Sequence, residues 1–216
     1  MTAKVKRKGC WGEVDELMGA YHDLEWGVPL HDDNKIFEFL ILEGMQAGLS
    51  WRLILNKREN FRLAFHGFDP RRVARYGERD LKRLLADPGI IRNRLKLRGA
   101  VNNAKCFLEV QKEFGSFDSY IWGFMGGEPV RSGLRSFEEM PARTPLSDTI
   151  SEDLKARGFK FVGSTVVYSH MQATGLVNDH LVSCFRYKEI GRPAGRLRNL
   201  KPSGPMRRGR AASGKG

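Results

Sequence analysis

The chain has 216 residues, 41% of them hydrophobic, enough for one core or two small lobes sharing one. It contains no run of 18 apolar residues, and its basic start from Met1 to Lys8 leads into no apolar signal segment, so the sequence argues against a membrane-spanning or secreted class and for an intracellular protein. The formal net charge of +12 invites a nucleic-acid partner, but residues 196–216 supply +7 and residues 1–9 supply +4, which leaves the body between them nearly neutral.

Strand signals are sparse and apolar residues recur at helical spacing, which predicts an all-α fold. Asp33 or Asn34 caps a helix carrying Ile36, Phe37, Leu40, Ile41 and Gly44. Ser50 caps a second helix carrying Leu53, Ile54, Phe61 and Phe65, closed by the turn from Gly67 to Pro70. Short helices over 71–76 and 78–86 end at the breaker Asp87-Pro88-Gly89, and a long helix follows over 92–114. A short helix over 117–124 gives way to a surface loop reaching Pro145. Helices return over 147–157 and 162–174, and a last short one is expected over 178–185. Beyond Arg192 the content of Pro, Gly and Arg predicts a disordered tail. The expected organisation is a flexible basic arm over 1–9, a helical domain over 10–190 and the tail over 191–216.

Three cysteines, Cys10, Cys106 and Cys184, are odd in number and widely spaced, so they fit buried or metal-bound thiols better than disulfides. His180 and Cys184 lie four residues apart, which on a helix points both side chains the same way. With Cys10 and His22 they form a possible Cys2His2 set that would pin the two ends of the chain together, the closed shell that zinc favours. A buried cysteine beside a surface histidine accounts for either pair equally simply.

Between the breaker and the long helix, Gly89-Ile90-Ile91-Arg92 forms a hairpin followed by Arg94, Lys96 and Arg98. Backbone N–H groups at the start of the second helix would hold a DNA phosphate, without reading sequence. An ordinary turn with a solvated basic face is the competing explanation. In Leu42-Glu43-Gly44-Met45-Gln46-Ala47-Gly48-Leu49-Ser50-Trp51, one carboxylate and one indole flank a small-residue turn. A carboxylate among apolar groups is costly to bury, so Glu43 suggests a ligand that donates hydrogen bonds. Tyr21, Trp26 and Trp51 would give flat walls for stacking, or serve simply as core.

At these residues the chain resembles the 3-methyladenine DNA glycosylase I family, within the helix-hairpin-helix glycosylases. The resemblance is carried by Ala20-Tyr21-His22-Asp23, Glu25-Trp26-Gly27-Val28-Pro29, Leu42-Glu43-Gly44, Gln46 to Trp51, Lys57-Arg58-Glu59-Asn60, Gly89 to Arg92, Arg157 to Gly163 and Gly175 to His180. It implies a helix-hairpin-helix glycosylase fold with one structural zinc on Cys10, His22, His180 and Cys184. It also implies a base slot of Tyr21, Trp26, Glu43 and Trp51, and a phosphate-binding hairpin over Gly89, Ile90, Ile91 and Arg92. The expected enzyme is a cytoplasmic bacterial monomer that acts at the nucleoid on double-stranded DNA with alkylated bases. It hydrolyses the N-glycosidic bond of 3-methyladenine, the alternatives being another alkylated purine or DNA binding without catalysis. The chain departs from the family pattern at Trp11, which directly follows Cys10, at Met45 and at His170.

Methylation at N3 makes adenine cationic and weakens the glycosidic bond, so little acid catalysis is required. The enzyme must evert the nucleotide and favour the separating transition state. Glu43 is expected to accept hydrogen bonds from the N6 amino group, in a suitable proton state to engage N7, and as an anion to favour the cationic base. Trp51 or Tyr21 would stack on the ring, and Leu49 would fill the gap left in the duplex. Asp118 is the nearest match to the aspartate of related glycosylases, with helix capping as the favoured role, and His170 is expected to pack between helices.

Overall fold

A computed structural model describes residues 9–12 and 14–190. The expected arm and tail fall, apart from Gly9, outside the described residues. Among the described residues ten α-helices carry the fold: α1 (Glu16–Leu24), α2 (Asp33–Gln46), α3 (Trp51–Ala64), α4 (Pro70–Val73), α5 (Glu78–Ala86), α6 (Arg94–Phe114), α7 (Phe117–Gly123), α8 (Pro145–Ala156), α9 (Ser164–Ala173) and α10 (Phe185–Glu189). Two short strands, β1 (Val130–Arg131) and β2 (Val177–Asn178), pair in parallel with Val130 opposite Val177. No helix among the described residues is long and apolar enough to cross a membrane.

The helix starts follow from short polar side chains that accept the first free N–H groups. Asp32, one residue earlier than expected, caps α2 through Lys35 N, while Ser50 caps α3 and Asn93 caps α6 through Leu95 N and Lys96 N. Helix α2 is buried on nearly all sides, with Phe37, Leu42 and Met45 almost fully enclosed, and packs against α3, α6, α7 and α9. Each such side chain contributes roughly 1.5–3 kcal/mol through removal from water. The axis that carries Glu43 is therefore the axis of the core.

Two expectations fail. Helix α1 has no counterpart in the sequence reading, because its exposed Leu17 and Leu24 blur the apolar period. The expected helix over 178–185 is a strand end followed by turns, with Cys184 as the N-cap of α10. The reason lies in buried polar side chains. Asn178 Nδ2 donates to the carbonyls of Tyr187 and Ile190, and Asp179 accepts from Tyr168 OH, Ser132 Oγ and Gln172 Nε2. Such side-chain bonds hold an irregular backbone that a helix would dissolve.

The capping role considered for Asp118 belongs to other residues. Ser116 caps α7, Asp33 of α2 accepts from Phe117 N and Asp118 N, and Asp118 itself pairs with His31 Nδ1 at 2.8 Å. His170 packs as expected, buried between α9 and α2 with Nε2 3.3 Å from the Ile36 carbonyl, and burial lowers its pKa to about 4.

Between α8 and α9, Phe161 adopts a left-handed conformation (φ 57°), costly for a bulky residue. Asn103 of α6 clamps this loop from both sides, accepting from Lys160 N at 2.7 Å and donating to Lys160 O at 2.8 Å. Asn103→Ala is expected to destabilise the protein by about 2 kcal/mol, because it removes both hydrogen bonds that hold the Lys160 peptide groups beside a strained residue. Calorimetry should show Tm lower by roughly 4–8 °C; an unchanged Tm would mean the clamp does not hold the strain.

Candidate active site and metal centre

Four ligand atoms from the two ends of the described chain converge. Those of Cys10, His22, His180 and Cys184 all lie within 4.8 Å of one another. Cys10 Sγ is 3.1 Å from His22 Nε2 and 3.5 Å from His180 Nδ1, and Cys184 Sγ is 3.6 Å from both nitrogens. A tetrahedral ion bonded to sulfur and imidazole nitrogen at their usual lengths requires edges of roughly 3.6 Å. The far nitrogens are already bonded: His22 Nδ1 to Asp23 Oδ1 at 2.7 Å and His180 Nε2 to the Trp26 carbonyl at 2.9 Å. Such outer bonds fix which nitrogen faces an ion. Burial, followed by the neighbouring Cys184, pushes the Cys10 thiol up to about 12, and burial lowers His180 to about 4, so a cation is what would make the Cys10 sulfur ionise. The donor set can thus hold one metal ion.

The two C-terminal donors do not share a helix face. Asp179, anchored by Ser132 just after β1 and by Tyr168 and Gln172 of α9, aims the preceding and following backbone, and a turn in which Cys184 N donates to Leu181 O at 2.8 Å returns the chain. Gly27, at φ 76°, lets the backbone pass where an added Cβ would come within 3.1 Å of the His180 ring.

Against this cluster leans an aromatic group. Trp11 lies 5.0 Å from both Trp26 and His22 and 6.0 Å from Tyr21, while Trp26 lies 4.6 Å from the His180 ring. Tyr21 continues to Trp51 at 5.6 Å and to Phe39 at 6.4 Å, and Phe39 stacks near Trp51 at 6.5 Å. Trp26 therefore sits on the metal-binding side, with Tyr21 and Trp51 further along. Trp11 and Phe39 are members that the sequence reading missed. The adjacency of Trp11 to a candidate ligand was the available signal.

Glu43 points into this neighbourhood from the last turn of α2. It is 4% exposed, and among the described residues no cation or hydrogen-bond donor pairs with it. Burial alone raises its carboxyl to about 8. Burial with no cation beside it favours the protonated carboxyl in the free protein, because nothing in the fold offsets the loss of water. Glu38 on the same helix shows the opposite case. It bonds to Arg58 Nε at 2.5 Å and Arg62 Nε at 3.0 Å, and Arg58 goes on to Glu25 and lies 4.8 Å over the Phe39 ring. Tyr21 feels both groups: burial first and then Glu43 push its phenol well above its ordinary value, with Arg58 opposing. The buried indole N–H of Trp51 also lacks a partner among the described residues. An acid without a cation and a donor without an acceptor thus share one aromatic neighbourhood.

At the hairpin, Ile90 is core and the Gly89 N–H is taken by Asp87 Oδ1 at 2.7 Å. No partner among the described residues takes the N–H of Ile91 or Arg92, and Arg92 is exposed. Arg98 bonds to Glu78 at 2.8 Å, with Arg94 3.9 Å from the same carboxylate. Leu49 is 37% exposed at the tip of the turn after α2.

The family model for methyladenine glycosylase matches residues 11–187. The DNA-3-methyladenine glycosylase 1 of Escherichia coli K12 is 49% identical over 177 residues, covering 82% of this chain and 95% of that protein. The DNA-3-methyladenine glycosylase of Haemophilus influenzae Rd is 44% identical over 174 residues, covering 81% and 94%. Among solved structures, the crystal structure of a 3-methyladenine DNA glycosylase I superposes with a TM-score of 0.80 at 49% identity, covering 82% of this chain and 98% of the other. The Staphylococcus aureus 3-methyladenine DNA glycosylase I, solved to explain its recognition of 3-methyladenine, gives 0.79 at 36% identity, covering 82% and 94%.

Proposed function

The chain belongs to the methyladenine glycosylase family, and on that premise we propose that it excises 3-methyladenine from alkylated DNA with Glu43 as the group that selects the lesion. It is a base-excision repair glycosylase, hydrolysing the bond between the purine and C1′ of the sugar. One observation supports the role of Glu43 above others: a buried carboxyl, raised to about 8, that lacks the positive partner a buried acid needs. A purine methylated at N3 brings that positive charge, whereas normal adenine does not. The positive charge of the base favours the ionised form of Glu43, whose proton passes to solvent as the base enters, and the resulting carboxylate accepts from the N6 amino group. As the bond breaks, the purine leaves neutral and positive charge passes to the sugar within the field of the same carboxylate, and a water adds at C1′ and gives up its proton to solvent to complete the hydrolysis. Trp51 and Tyr21 supply the stacking faces, and Trp11 and Trp26 back them. Leu49 fills the vacated stack, and the N–H groups of Ile91 and Arg92, with the Arg92 side chain, hold the phosphate backbone of a duplex.

The metal in this reading is zinc, one ion per chain on Cys10, His22, His180 and Cys184. Bound there it has a full protein shell and no place for water, so its contribution is structural. The chain acts as a monomer in the cytoplasm.

Chromatography of bases released from duplexes carrying a single lesion tests the substrate. The protein is expected to release 3-methyladenine well ahead of 7-methylguanine, whose O6 is an acceptor where adenine offers the N6 amino donor and whose methyl group covers N7. Preferential release of 7-methylguanine would reassign the substrate, and tight binding with no released base would make the protein a DNA-binding module.

A further inference from the structure

Lys96 occupies the first turn of α6, immediately after the hairpin, with its own N–H bonded to Asn93 Oδ1 at 3.1 Å. A cation there invites a reading as one more phosphate contact. Its geometry says otherwise. Lys96 Nζ donates to the carbonyl of Met45 at 2.8 Å and to that of Ala47 at 2.7 Å. These are C-terminal carbonyls of α2, which lack partners within the helix and lie at its negative end. Met45 is two residues past Glu43, and Ala47 opens the turn that presents Leu49, itself closed by Leu49 N to Gln46 O at 2.6 Å and Gln46 Nε2 to Leu49 O at 2.9 Å. A second lysine repeats the pattern from the other side. Lys57 of α3, the helix that starts at Trp51, donates through Nζ to Pro88 O at 2.9 Å in the hairpin.

We propose that Lys96 is a positioning residue that locks the phosphate hairpin and the Glu43 helix into one register, so that a backbone held at the hairpin places Leu49 and Glu43 at a fixed offset along the strand. The proposal rests on the glycosylase reading for its consequence in catalysis, but not for the mechanical coupling. An ammonium shared between two carbonyls is a short, directional link. The ammonium is the only part of Lys96 that reaches them, so a side chain of similar length without charge keeps the packing and loses the link. Misplacement of reacting groups by about 1 Å costs up to a hundredfold in rate.

The test compares Lys96→Met and Lys96→Arg with the native protein. Lys96→Met is expected to bind a duplex with an abasic-site analogue with unchanged affinity and unchanged salt dependence, to bind free 3-methyladenine normally, and to excise it from DNA roughly tenfold to a hundredfold more slowly in single turnover. Lys96→Arg should recover most of the rate. Amide hydrogen exchange supplies a readout besides activity. Adding the abasic duplex to native protein should slow exchange in both the hairpin over 88–92 and the turn over 46–49, and in Lys96→Met only in the hairpin. Equal slowing of both segments in Lys96→Met overturns the coupling, as does a lowered salt slope, which marks a direct phosphate contact. Native protein that released no 3-methyladenine would overturn the functional reading instead, with the exchange comparison still deciding the role of Lys96.

Discussion

Glu43→Gln is expected to be both more stable and nearly inactive. The variant keeps the shape of the side chain and removes the ionisable group. In the free native protein the carboxyl is raised to about 8 from its ordinary 4.5, so between those values the folded state holds a proton that the unfolded chain has released. Stability is then greatest below about pH 4.5, declines as pH rises towards 8 and is flat beyond, and Glu43→Gln should abolish that decline. Unfolding at pH 5 and pH 8 measures it: the native protein loses stability across the interval and the variant, as far as this site goes, does not. Excision should fall roughly a hundredfold to a thousandfold, the scale on which removal of one pre-arranged electrostatic group slows an enzyme. A variant that matched the native rate would remove the charge of Glu43 from the mechanism.

Cys184→Ser, or exhaustive chelation, is expected to produce the next largest change. Structural zinc sites contribute on the order of 10 kcal/mol to the segments they tie together. Here those segments are the turn around Cys10 and Trp11 and the irregular stretch from His180 to Cys184. The core built on α2 does not pass through the cluster, so the protein should still unfold cooperatively at a clearly lower Tm. The N-terminal segment should become open to proteolysis before α1, and excision should fall as Trp11 leaves Tyr21 and Trp26. Elemental analysis should find one zinc per native chain and none in the variant. A zinc-free native protein with the same Tm and protease resistance would reduce the cluster to packing.

Most of the helical frame was legible because its boundaries are local chemistry. Ser50, Asn93 and the breaker at Asp87 to Gly89 act within one turn, and the structure places them within a residue or two of expectation. The metal set was legible as residue types, but the argument for its C-terminal half was mistaken. Spacing of four suggested a helix, whereas Asn178 and Asp179 satisfy buried loop carbonyls and donors that no periodicity records. Trp11 and Phe39 escaped notice because their aromatic partners are 10 to 18 residues distant in sequence, beyond the reach of a local period. The raised pKa of Glu43 was equally hidden: Glu38, five residues earlier on the same helix, looks identical in sequence and differs in that Arg58 and Arg62 reach it.

That difference between two glutamates is open to direct measurement through the pH dependence of kcat/KM for excision of 3-methyladenine from a defined duplex between pH 5.5 and 9, with spontaneous loss subtracted. The charge of the methylated base does not vary over this range, and kcat/KM reports ionisations of the free enzyme. If the carboxylate of Glu43 selects the lesion, kcat/KM rises about tenfold per pH unit at the acid end and levels off near pH 8, and the residual activity of Glu43→Gln shows no such rise. A native profile that falls above pH 8, or that stays flat throughout, would contradict the account.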